Sequence, residues 1–248
     1  MVQADYLFKS APDGYSLTIA GSTFWTAPLL QKLAYDPIAD FSPVALLVQE
    51  VRVVFVHTSM PVKSIKELIA LAKARPGELN YGSSAIGGPA HLASELFKSM
   101  AGVNMVHIPY KGGVAQNTAL ITGEVHMSIA DAGGAMPHVK SGKLRPLAVT
   151  SATPSALLPD LPTVAASLPG FESVGLTGMF APGKTPATII NRLNQEIVRF
   201  LNLPDVKERF LNAAVEVVAS SPDQFAATIK SEVVKMNKLI KEAGIKVN

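Results

Sequence analysis

Residues 79–100 read "LNYGSSAIGGPAHLASELFKSM", and the punctuation of this stretch decides the fold. "LNYGSS" has strand character, "AIGG" is a glycine-rich loop, and Pro89 stands where a first helical turn accepts proline. A helix then runs to Met100. The same order of elements returns twice. "NMVHIPY" leads through "KGG" into a helix ending near Gly123. "HMSIAD" leads through "AGG" into a short helix ending near Gly142, and the strand "LRPLAVTS" follows. No sequence repeat accompanies the pattern; the similarity is architectural. Strand, glycine loop, helix and strand in succession predict a parallel sheet with right-handed crossovers. The three loops then stand at the carboxyl ends of strands, where open α/β sheets bind ligands.

Working outward, Ser64 and Glu67 form a capping box before a helix with Ile65, Leu68, Ile69 and Ala72 on one face, stopped by Pro76-Gly77. "YSLTIAG" and "VRVVFVHTS" are strands upstream of it. Downstream, a proline-rich connector precedes "FESVGLTGMFAPGKTP" and a helix with Ile189, Leu193, Ile197, Phe200 and Leu201 on one face. A last helix starts at Ser221-Pro222 and ends at Gly244. The alternation predicts an α/β protein with two lobes.

The chain has 248 residues, 48% of them apolar, and a mean hydropathy of +0.27. No uncharged apolar run approaches the roughly 18–20 residues that cross a bilayer. The longest, around residues 43–57, is interrupted by Gln49, Glu50 and Arg52. A net charge of +3 from scattered Lys and Arg offers no basic block, so nucleic acid is not an expected partner. The absence of cysteine excludes disulfides and thiolate metal sites. The five histidines show no H-x-x-x-H or H-E-x-x-H spacing, so no metal and no cofactor is expected.

"GMFAPGKT" (residues 178–185) matches the spacing of a nucleotide phosphate loop. Pro182, however, removes a backbone donor from that loop. Thr185 and Pro186 read as N-cap and first helical residue, which leaves Lys184 outside the helix. No apolar strand ending in a magnesium-binding aspartate follows. The stretch is expected to be a helix-capping turn. A serine hydrolase assembled from Ser83 or Ser84, His91 or His107, and Asp131 is a weaker alternative, because "GSSAIG" lacks the G-x-S-x-G elbow.

The glycine loops carry the stronger signal. "SSAIGGPAH" places Gly88 and Pro89 at a helix start and leaves the amides of Ala90 and His91 unpaired. Helix N-termini favour anions, and the Ser83 and Ser84 hydroxyls add donors. Lys111 and Asp131 lie at neighbouring strand ends, and Trp25, the only tryptophan, is expected to line the cleft from the other lobe.

"PDGYSL", "YDPIADFSPVALL", "KSIKELIALAKARPGELNYGSS", "HLASELFKSMAGVNMVHIPYKGG", "PHVKSGKLRPLAVTS" and "LPTVAASLPGF" occur in order along the whole chain. Together they resemble the extracytoplasmic solute receptors of tripartite tricarboxylate transporters, the Bug family. "FAPGKTP" also resembles that family's "APAGTP" turn. The resemblance implies a two-lobed periplasmic-binding-protein fold (type II, Venus-flytrap) without enzymatic activity. Lobe 1 would take residues 1–58 and 177–248, and lobe 2 residues 59–176. Such a receptor captures a small carboxylate (a di- or tricarboxylate, an amino acid or an aromatic acid) and delivers it to membrane permease subunits. It is expected to be a periplasmic monomer; a sensor domain serving a signalling partner is the alternative.

Residue by residue, the family's ligand loop falls on Ser83, Ser84, Gly87 and Gly88, with His91 opening the helix. "YKGG" places Tyr110, Lys111 and Gly112 beside it, and the third loop contributes Asp131. From the first lobe, "GSTFWTAP" supplies Ser22, Thr23, Phe24 and Trp25. Relatives often have small polar residues or histidine there, so Phe24-Trp25 implies a bulkier or aromatic acid. Family members also carry a secretion signal, a first strand, a loop and a helix before "PDGY". This chain starts in what reads as that helix's tail, which implies a first lobe lacking its N-terminal strand-helix portion.

Overall fold

In the computed structural model, which describes residues 2–245, the chain forms two units. One takes the residues up to Gln49 and those from Gly175 onward, and the other is Glu50–Val174. The first unit carries α1 (Val2–Lys9), β1 (Thr18–Gly21), the single turn α2 (Thr23–Thr26) and β2 (Phe41–Glu50). Its later part supplies β8 (Gly175–Pro182), α7 (Ala187–Leu201), α8 (Pro204–Asn212), β9 (Val215–Val217) and α9 (Pro222–Glu242). The strands form a sheet in the order β1-β8-β2-β9, with β1 antiparallel to β8. An aromatic cluster fills part of this core. Phe24 stacks on Phe180 with ring centres 4.8 Å apart, and Trp25 meets Phe225 edge-on at 5.8 Å.

This packing accounts for "GMFAPGKT". Its first five residues lie in β8, and a Cβ on Gly178 would sit 2.1 Å from the tip of the Phe225 ring. That glycine serves close packing, not a phosphate. The Gly183 amide donates to Asp40 O at 2.9 Å and the Thr185 amide to Pro182 O at 3.0 Å. The Thr185 hydroxyl donates to the same Pro182 carbonyl at 2.7 Å, so it does not cap a helix. Pro186 takes the N-cap position and α7 begins at Ala187, one residue later than predicted. The stretch offers no cradle of free amides.

The second unit contains β3 (Arg52–His57), α3 (Ile65–Ala74), β4 (Asn80–Ser83), α4 (Pro89–Ala101) and β5 (Val106–Pro109). It continues with α5 (Gly113–Thr122), β6 (Met127–Asp131), α6 (Ala132–Lys140) and β7 (Leu144–Val149). The predicted domain boundary after residue 58 moves back to Gln49, because Arg52–His57 pairs with β6 and β7. The return crossing precedes Gly175, since Gly175 and Leu176 already belong to β8.

The sheet order is β5-β4-β6-β3-β7. β4 is parallel to β5 and to β6, as the strand–loop–helix units predict. β3 is antiparallel to both its neighbours, so the expected parallel sheet has one reversed strand inside it. Both faces are covered. Val54 and Val56 pack with Leu68 of α3 and Phe97 of α4, while Val53 and Phe55 pack with Leu120 of α5 and Ala135 of α6. A strand buried on two faces reads as a continuous apolar run, and each such side chain contributes about 1.5–3 kcal/mol.

The reversal positions the site. β4, β5 and β6 end at one edge of the sheet, and β3 starts there. Arg52, its first residue, is therefore paired with Asp131, the last residue of β6.

Candidate functional site

Three helices begin at this edge. α4 follows Gly88, α5 follows Gly112 at φ 100°, and α6 follows Asp131; none of these N-caps makes a side-chain capping bond. The fourth helix of the unit, α3, lies elsewhere and is capped: Ser64 Oγ accepts the Glu67 amide at 3.2 Å. In α4 no described residue accepts the amides of Ala90 and His91. Ala90, Val114 and Gly134, one from each helix start, bound a cavity of about 400 Å³ together with Ser84, Asp131 and Arg52. The unpaired amides of α4 and the positive ends of three helix dipoles thus meet at one space, an arrangement that favours a small anion, although the first amide of α6, Ala132, already donates to Val51 O at 3.3 Å. Ile129 and Ala130 add an apolar floor.

Arg52 is the residue that sequence reasoning missed. It is 6% exposed, and its Nε lies 3.1 Å from Asp131 Oδ1. Its signal in the sequence is a lone cation within the apolar run "VRVVFVH". Asn117 also lines the cavity, and its Oδ1 is buried without a hydrogen-bond partner among the described residues. Gln116, 3% exposed, joins the same wall and donates to Ser128 Oγ.

Beneath the α4 loop lies a closed polar stack. His91 and His107 stack with ring centres 4.0 Å apart, and Tyr81 lies over His107 at 4.9 Å. The Tyr81 hydroxyl donates to Glu95, which also pairs with Lys98 at 2.6 Å. Burial, then the bond to Glu95, raises the Tyr81 pKa well above the phenol range. Burial pushes His107 down to about 4, and His91 beside it acts in the same direction. His91 is itself lowered by burial. Its Nδ1 accepts the Gly87 amide at 2.9 Å, which requires a neutral acceptor nitrogen.

Ser83 Oγ lies 2.6 Å from His107 Nε2, the separation of a nucleophile and its base. Ser83 is nevertheless 0% exposed and its hydroxyl also donates to Ala85 O, so this pair braces the loop. Acid should loosen it. Below pH 6.5 the unfolded histidines bind protons that native His107 refuses until about pH 4, so stability falls as pH drops through that window. The expected loss is on the order of 1–2 kcal/mol, allowing for partial solvent screening. Urea melts at pH 7 and pH 4.5 measure it, and His107→Gln should flatten the slope; an unchanged slope would place the acid sensitivity elsewhere.

The predicted site residues divide between the cavity and its surroundings. Ser84 and Asp131 line the cavity, and Gly88, the α4 N-cap, directly precedes the lining residues Pro89 and Ala90. Ser83, the Gly87 amide and the His91 ring are instead engaged in the supporting stack. Tyr110 bonds Glu124 Oε1 at 2.8 Å, and burial, reinforced by that bond, pushes it up to about 12. It packs with the core away from the cavity lining. The Gly112 amide donates to Ser84 O at 3.0 Å, and Lys111 is exposed outside the lining. In the first unit, Trp25 is fully buried and Phe24 is 8% exposed within the aromatic cluster. Ser22 is the N-cap of α2, and Thr23 borders a separate cavity of about 340 Å³ with Phe24 and Tyr35. Bulky side chains at 24 and 25 thus fill the core of their own unit.

Comparison with known proteins places this geometry in a lineage. The family model described as "Tripartite tricarboxylate transporter family receptor" matches residues 1–245. Protein BugT of Bordetella pertussis is 32% identical over 251 residues, covering 100% of this chain and 77% of BugT. The solved structure titled "R. palustris Rpa4515 with adipate" has 35% identity and a TM-score of 0.83, covering 99% of this chain and 83% of that one. MatC from Rhodopseudomonas palustris, solved with bound malate, has 27% identity and a TM-score of 0.77 over 96% of this chain and 83% of its own. The fold is accordingly the two-lobed α/β periplasmic-binding-protein fold. No helix among the described residues is long and apolar enough to cross a membrane. With a matching family model along nearly its whole length, and with helix starts gathered around an anion-sized cavity, this chain belongs to the Bug family of solute-binding receptors of tripartite tricarboxylate transporters.

Proposed function

We propose that this chain is a periplasmic receptor that captures a small carboxylate and delivers it to the membrane permease of a tripartite tricarboxylate transporter, without chemical conversion. One observation carries the reading. Three uncapped helix N-termini face a single cavity of about 400 Å³, and α4 presents the free amides of Ala90 and His91. A carboxylate there replaces the water on those donors with charge-assisted hydrogen bonds at fixed backbone positions. Ser84 adds a hydroxyl, and Asp131 at the rim accepts from a ligand hydroxyl or ammonium. The adipate and malate of the two Rhodopseudomonas structures support an acid as the cargo.

Thermal-shift and calorimetric titration with a panel of small carboxylates tests the reading. A cognate acid at 100 times its Kd should stabilise the fold by about 2.7 kcal/mol. The matching alcohols and amides should give no shift. If no acid in the panel binds, the receptor reading fails.

A further inference from the structure

Among the described residues, two buried side-chain polar atoms lack a hydrogen-bond partner: Trp25 Nε1 in the first unit and Asn117 Oδ1 in the cavity wall. Resting on the receptor reading above, we propose that Asn117 is a ligand-binding residue, kept at a cost in stability, whose Nδ2 donates to an oxygen of the bound acid. Its neighbour Gln116 is fully engaged: it donates to Ser128 Oγ, which in turn donates to Gly82 O at 3.1 Å. Asn117 makes no such bond from either end of its carboxamide. Nδ2 has no partner among the described residues and, unlike Oδ1, it is not buried.

The placement gives that nitrogen a task. Gly113 and Asn117 are four residues apart on α5, hence on one face of the helix, and both line the cavity. Nδ2 lies against Gly134 of α6, a lining residue from the next helix: a Cβ added to Gly134 would stand 3.4 Å from it. The missing side chain at 134 leaves that flank of Nδ2 uncovered. Energetics argue against a purely structural role. A leucine has nearly the same shape, favours a helix more, and would leave no buried acceptor unpaired. The unliganded protein is therefore less stable for carrying Asn117, and the group that offsets this is the donor at the cavity. Ala90 lines the same cavity, so an acid seated at the α4 amides brings acceptor oxygens into the space that Nδ2 borders. A hydrogen bond to a charged oxygen is stronger than one between neutral groups.

Thermal melts without ligand, and calorimetry with the tightest binder among adipate, malate, glutamate and benzoate, test the proposal. Asn117→Leu should raise the melting temperature of the unliganded protein by about 2–4 °C while weakening the acid about tenfold. Asn117→Asp keeps the shape and puts a negative oxygen in place of Nδ2 or beside it, so it should weaken the acid by about 30-fold or more. Gly134→Ala leaves Asn117 in place. It should raise the melting temperature by a similar amount, since alanine suits a helix interior better, and its methyl against Nδ2 should weaken the acid by about threefold or more. Opposite movement of stability and affinity is the signature of a group held for its ligand. A lower melting temperature in Asn117→Leu means that the side chain supports the fold, and that result overturns the proposal. So does affinity within twofold of the wild type in Asn117→Leu or Asn117→Asp. If the leucine variant does not fold, unchanged affinity in Asn117→Asp is decisive alone. Wild-type binding that none of the three variants alters sinks this inference and leaves the receptor reading standing; binding of none of the four acids sinks both.

Discussion

Gly88→Asp should abolish carboxylate binding while leaving the protein as stable as before or slightly more so. Gly88 is the N-cap of α4, at φ −73° and ψ 168°, a conformation open to any L-residue. A Cβ there would meet Ala85 O at 3.3 Å and Ala85 Cβ at 3.4 Å, a tight fit that a shift of a few tenths of an ångström relieves. An aspartate at this position folds back to accept the amides of the second and third helical residues, here Ala90 and His91. It also places a negative charge at the positive end of the helix, so stability should stay level or rise by up to about 1 kcal/mol.

The ligand, however, loses its seat. Two charge-assisted hydrogen bonds at about 1.5 kcal/mol each correspond to roughly 100-fold in affinity, before repulsion between the two carboxylates is added. Calorimetry measures the affinity and thermal melting the stability. Gly88→Ala adds the Cβ without the acid and should lose less than tenfold. If the aspartate variant binds like the wild type, the anion sits somewhere other than the start of α4.

Trp25→Ala should be the most destabilising single change in the first unit, at about 3–5 kcal/mol. The indole is 0% exposed and packs against both Phe180 and Phe225. Its removal leaves a void that the flanking rings cannot close without leaving their own packing. The melting temperature should drop by roughly 10 °C or more. Trp25→Phe should cost far less, because Nε1 is a buried donor without a partner among the described residues. Losing that orphaned donor offsets part of the lost contact. Denaturant melts of the two variants provide the comparison. An alanine variant with wild-type stability and weakened ligand binding would return Trp25 to the ligand-facing role that its sequence position suggested.

The two residues show where reading the sequence succeeds and where it stops. Gly88-Pro89 after a short strand identifies a helix start, and the lack of a capping side chain is visible in the letters themselves. The amides of Ala90 and His91 are therefore identifiable from the sequence. Trp25 follows a strand in a similar way, but nothing near it in sequence reveals that Phe180 and Phe225, more than a hundred residues later, close over it. Ser83 and His91 carry the side chains a ligand would want. Their partners His107 and Gly87 engage those atoms first, and only the packing of β4 against β5 brings Ser83 to His107.

What this sequence determined by itself is local: the alternation of strand and helix, the parallel β4, β5 and β6, and the glycine-opened helix starts at their carboxyl ends. Those features follow from side-chain periodicity and from backbone preferences that act over a few residues. The tertiary structure alone decided that β3 runs backwards between β6 and β7 and so delivers Arg52 to the mouth of the cavity. An apolar strand buried on both faces has the same pattern whichever way it runs, because hydrophobic burial has no direction. Strand order and direction come from hydrogen-bond partners far away in the chain, and the chemistry of Arg52 depends on which neighbour it meets there.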